Sequence, residues 1–97
     1  MRPLVPTICA LLLLAAVPTA AGGATCAERP VTTRGEPSRF EVLAKVKARG
    51  NWRAKVRAIP TLGANYANWN KALAAEYRCV HNDSEYVCTA TAYPCRP

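Results

Sequence analysis

Three cysteines, Cys79, Cys88 and Cys95, fall in the stretch RCVHNDSEYVCTATAYPC, with Cys26 far upstream and Cys9 in an apolar opening run. Thiols can serve as metal ligands, as a redox pair or as structural disulfides. Zinc sites favour ligands two to four residues apart on a tight turn. Catalytic dithiols are typically C-x-x-C at a helix start, where the dipole lowers the thiol pKa. The chain has no C-x-x-C; Cys79-Val80-His81 is its nearest approach to a ligand pair, and an exported chain oxidises its thiols. Disulfides are therefore the favoured reading, with no metal and no cofactor. If Asp83-Ser84 form a two-residue hairpin loop, Asn82 faces Glu85, His81 faces Tyr86, Val80 faces Val87 and Cys79 faces Cys88. Directly opposed residues have Cβ atoms about 4.5–5.5 Å apart, close to disulfide geometry. Cys26 and Cys95 would then join the N-terminal arm to the last strand. Four cysteines allow three connectivities, and this one is preferred on register.

Other chemistry is sparse. A hydrolase needs a nucleophile, a base and an orienting group, but the single histidine, His81, sits beside the hairpin turn and the carboxylates are scattered. There is no Gly-rich phosphate loop and no acidic calcium loop, so the expectation is a protein that is not an enzyme. Asn82-Asp83-Ser84 matches the glycosylation sequon and reads here as a turn. Trp52, Tyr66 and Trp69 could stack on a sugar, but in so short a chain aromatics more often make the core. What stands out is a run of cations, Arg39, Lys45, Lys47, Arg49, Arg53, Lys55 and Arg57, interrupted only by Glu41.

These residues need elements to hold them. Residues 1–24 read as a signal peptide, with Arg2 before an apolar run at 8–17 and small residues after Pro18. Ten residues cover roughly 15 Å of helix, about half of a bilayer core. No transmembrane segment is then expected in the mature protein, which would be periplasmic or extracellular. Residues 25–97 form a single small domain carrying 12 Lys and Arg against 6 Asp and Glu, a net +6. Such a thin core leans on staples.

Residues 25–37 read as an irregular arm with a short strand near 29–33, residues 38–73 as a basic helical part, and residues 74–97 as the cysteine hairpin. In PSRFEVLAKVKARGNWRAKVRAIP, small or apolar residues occupy the even positions from Val42 to Ala58, a period-two strand signal. A hairpin through Gly50-Asn51, however, would set apolar residues opposite charges. A helix instead places Phe40, Ala44, Ala48, Trp52, Val56 and Ile59 on one stripe, opened by a Ser38/Glu41 capping box and stopped by Pro60. Gly50 is its weak point, at about 1 kcal/mol against Ala. After a turn at Gly63, Tyr66, Trp69 and Leu73 suggest a short second helix. The fold class is α+β: one or two helices packed on a small antiparallel sheet built around a disulfide-stapled hairpin.

The pattern W-x3-V-x6-G-x2-Y-x2-W-x2-A-x6-C, carried by Trp52, Val56, Gly63, Tyr66, Trp69, Ala72 and Cys79, continues with Cys88 and Ala92-Tyr93-Pro94-Cys95. It resembles small exported, disulfide-containing bacterial proteins of unknown function. The resemblance spans about residues 44–95 and implies secretion and a helical middle, without an activity. Function is then sought in the basic helix, with Lys45, Lys47, Arg49, Arg53, Lys55 and Arg57 as anion-binding residues. The partners considered are an anionic envelope polymer, anionic lipid headgroups or an acidic protein; nucleic acid, scarce outside the cytoplasm, ranks below them. The alternative is a protein-interaction module, an inhibitor or host-directed factor, that presents the stapled hairpin.

Overall fold

The computed structural model describes residues 25–97; the signal-peptide reading of residues 1–24 lies outside the described residues. The chain runs β1 (Thr25–Cys26), β2 (Val31–Arg34), α1 (Glu41–Ala58), two 3-10 turns (Ala64–Tyr66 and Trp69–Lys71), β3 (Leu73–Asn82), β4 (Glu85–Tyr93) and β5 (Cys95–Arg96). β2, β4 and β3 form an antiparallel sheet in that order, and β1 pairs with β5. The fold is α+β, with one helix.

β3 and β4 pair with Cys79 opposite Cys88, Val80 opposite Val87, His81 opposite Tyr86 and Asn82 opposite Glu85. Asp83 takes a positive φ of 54°, a left-handed conformation that Asp tolerates better than most residues. Alternation along β4 then turns Cys88, Ala90 and Ala92 to one face, where all three are fully buried. Small side chains there let α1 lie close. Ala44 and Ala48 answer them from the helix, and a Cβ on Gly35 would fall 2.5 Å from the Ala48 nitrogen, so only glycine fits at the end of β2.

Trp52 fills the remaining space. Its indole Nε1–H donates to the Val31 carbonyl at 3.1 Å, and its ring meets Trp69 edge-on at 5.1 Å. Trp69 in turn stacks on Tyr77 of β3 at 5.2 Å. With Val31, Val56 and Ala67 these residues make the core. A buried Trp normally finds a partner for its N–H, and the Val31 carbonyl is that partner.

Several local expectations are corrected. Ser38 does not cap α1: it is buried in an isolated bridge, donating to and accepting from the backbone of Tyr86 at 2.9 and 2.7 Å. Its backbone is committed to the sheet, so the helix starts after Phe40, which is extended and carries no side-chain cap. Phe40 accordingly leaves the buried stripe and is exposed. The second helix is replaced by the two 3-10 turns. Asn68 accepts a bond from the Asn70 N–H, the local side-chain competition by which Asn disfavours helices. Leu73 lies not on that helix but at the exposed start of β3, before an irregularity that includes Ala74 at φ 56°. The arm is less irregular than read, since it supplies β1 and β2, with β2 at Val31–Arg34 rather than near 29–33.

Candidate functional site

Both disulfides join the pairs preferred on register, Cys79–Cys88 with Cα atoms 4.0 Å apart and Cys26–Cys95 at 3.9 Å. They are the mark of a small chain that folds in an oxidising, exported setting. No helix among the described residues is long and apolar enough to cross a membrane. Among the described residues no three of His, Cys, Asp and Glu gather as a metal site. His81 is stacked on Tyr86 at 4.3 Å at the hairpin tip. Trp52 and Trp69 are buried, so they present no sugar-stacking platform. An open cleft of about 680 Å³ between the β1–β2 connection and the end of α1 is lined by Arg29, Pro30, Lys55, Ile59 and Leu62, among others. Glu28, Thr32 and Thr61 also line it, and the Lys55 ammonium there donates to the Thr32 carbonyl.

The basic residues of α1 are more ordered than their number alone suggests. A period-two alternation laid on a helix of 3.6 residues per turn resolves into four rows at four-residue steps, each winding by about 40° per step. Ala44, Ala48, Trp52 and Val56 form the inner row, buried on the sheet. Lys45, Arg49, Arg53 and Arg57 form one flanking row, whose first two members lie against Tyr77 of β3. There the Arg49 guanidinium donates to the Tyr77 hydroxyl at 3.5 Å, and the Lys45 ammonium lies 5.7 Å from the Tyr77 ring centroid. Arg49 Nε is buried without a partner.

Lys47, Asn51 and Lys55 form the opposite flank, over β2 and the segment that follows it. Lys47 donates to the Pro37 carbonyl at 3.3 Å, Asn51 to the Arg34 carbonyl at 2.9 Å and Lys55 to the Thr32 carbonyl at 3.3 Å. Asn51 also donates to Glu36 at 3.3 Å. Backbone and Asn51 hydrogen bonds, with a smaller contribution from the Lys47 charge, hold the Glu36 carboxyl below its ordinary range. The fourth row, Val42, Val46, Gly50, Ala54 and Ala58, faces away from the sheet, with Leu43 beside it.

Thus the six cations singled out from the sequence are brought onto one helix, but in two rows with an outer apolar row between them. The Glu41–Lys45 contact at 3.9 Å is the one ion pair among the described residues. Arg49, Arg53 and Arg57 follow one another at a spacing where like charges repel, without a neighbouring carboxylate to offset it. The exposed outer row is what sequence reasoning missed. Its signal was the alternation itself, which demands two apolar sides if the segment is a helix. No family model, curated protein or solved structure matches the chain.

Proposed function

We propose that this is an exported, non-enzymatic binding module whose basic helix attaches it to an anionic surface. The observation that carries this reading is the Lys45–Arg49–Arg53–Arg57 row on a helix pinned to the sheet through Trp52 and the Gly35 contact, with a single carboxylate near its start. Like charges aligned this way destabilise the isolated helix. An anionic surface relieves that repulsion and releases its own counterions, so affinity should fall steeply with salt.

The test is retention of the purified protein on a sulfonated matrix across a salt gradient. Replacing Lys47, Arg53, Lys55 and Arg57 with Gln should shift elution to markedly lower salt. Lys45 and Arg49 should matter less, because they are engaged at the half-buried Tyr77, whereas the Lys47 and Lys55 bonds to the Pro37 and Thr32 carbonyls lie in the open and an anion can replace them. Elution of wild type that is insensitive to salt, or unchanged in the Gln variant, would remove the proposal.

A second reading rests on β3, an edge strand in the order β2-β4-β3 whose outer side is unpaired within the described sheet. Such an edge can add a partner strand, and the Cys79–Cys88 staple lowers the ordering cost. Tyr86 bonds to Ser38 on the other side, so His81 opposite it turns its N–H to the free edge. Capture of a stoichiometric acidic protein from an envelope or host extract, lost on His81→Pro and retained in the Gln variant, would favour it over the first.

A further inference from the structure

The outer row of α1 carries information that charge alone does not. Large apolar side chains are exposed at Phe40 (64%), Val42 (70%), Leu43 (47%) and Val46 (42%), all within the first turns of the helix or just before it. Contiguous apolar surface rimmed by polar groups marks a binding face. Here the rim carries Arg53 on one flank and Lys47 on the other, with Lys45 paired to the exposed Glu41 in the first turn and Arg49 turned to Tyr77.

We infer that this face docks on the surface of a bilayer bearing anionic headgroups, with Phe40, Val42, Leu43 and Val46 entering the headgroup region and the flanking cations resting on phosphates. The inference rests on the anionic-surface reading above and names the surface. A soluble polyanion would pair the cations but leave the apolar row in water. A second copy of the chain would cover the row but bring its own basic flanks against these. A bilayer interface answers both features, apolar side chains inward and Lys or Arg at headgroup level, which is how interfacial helices bind. From residue 42 to residue 57 the helix extends roughly 22 Å, enough to lie along the surface. The face is already formed, because the opposite side of α1 is locked into the core, so docking requires no folding step. Farther along, Gly50 and Ala54 keep the outer row low and leave Arg53 and Arg57 free to reach phosphates.

The experiment uses the mature, disulfide-intact protein and flotation with two vesicle preparations: phosphatidylcholine alone, and phosphatidylcholine with an equal part of phosphatidylglycerol. Binding is expected to the second and not the first. The triple variant Val42→Ser, Leu43→Ser, Val46→Ser should lose on the order of tenfold or more in vesicle affinity, while its retention on the sulfonated matrix stays at the wild-type value. Since these side chains are already exposed, its melting temperature should change little. Phe40→Trp supplies an independent reading, a blue shift of emission on anionic vesicles against the constant signal of buried Trp52 and Trp69.

If the triple variant binds vesicles as wild type does, or Trp at position 40 keeps its aqueous emission at saturating vesicles, the lipid inference is overturned and the anionic-surface reading survives. If wild type is held by neither vesicles nor matrix, both fall together.

Discussion

Two glycines of this chain face opposite physical problems. At Gly50 an added Cβ meets nothing within 4 Å, on the outer side of α1. Its freedom only costs helix stability, so Gly50→Ala should raise unfolding free energy by roughly 0.5–1 kcal/mol. At Gly35 the same methyl group would strike the Ala48 backbone at 2.5–2.8 Å, and backbone cannot swing aside as a side chain can. Gly35→Ala should therefore destabilise by about 1–3 kcal/mol as α1 is pushed off the sheet. Urea denaturation of both variants checks the pair, and equal effects would refute the close approach of helix and strand. Gly50 was legible as a helix weak point because propensity is local. Gly35 was not, because the reason for it lies thirteen residues away on another element.

The elements differ in how far the chain announced them. The β3–β4 register followed from one turn and the opposed cysteines, since a one-residue slip would have moved Cys88, Ala90 and Ala92 off the helix side. The inner row of α1 followed equally from spacing. What failed was everything decided by competition: Ser38 given to the sheet rather than the cap, and the Asn68 side chain replacing a helical turn.

The two staples should also differ in weight. Cys79–Cys88 spans a sequence separation of 9 and Cys26–Cys95 one of 69. Loop-closure entropy then gives about 2.7 kcal/mol for the first and about 4.4 kcal/mol for the second. Replacing Cys26 and Cys95 together by Ser should lower stability more than replacing Cys79 and Cys88, and denaturation of the two double variants in parallel decides it. The reverse order would mean that strain or residual structure outweighs the chain-entropy difference.

At the scale of the whole molecule, one helix on one face of a three-stranded sheet leaves the far side of that helix as the most prominent surface, and the sequence fills it with apolar residues between two basic flanks. The candidate anion-binding residues were legible as a list, whereas their division into rows required the helix to be fixed in orientation. The net charge of +6 over residues 25–97 spreads beyond α1, through Arg29, Arg34, Lys71, Arg78 and Arg96. These cations remain when those of α1 are replaced, so the Gln variant should keep a residual, still salt-dependent retention on the sulfonated matrix.

The clasp between β1 and β5 has a further consequence. With Cys26 bonded to Cys95, residues 26–95 form a closed covalent ring, and Cys79–Cys88 draws a second chord across it. A single protease cut anywhere from residue 27 to residue 94 therefore liberates no fragment. A cut in the exposed Asp83-Ser84 loop should leave one species of unchanged mass apart from the water added, running as intact chain on a non-reducing gel and separating into two pieces only when thiol is added. Release of a fragment without reductant would show that the ring is open. A chain nicked in this way keeps both of its pieces joined through Cys26–Cys95.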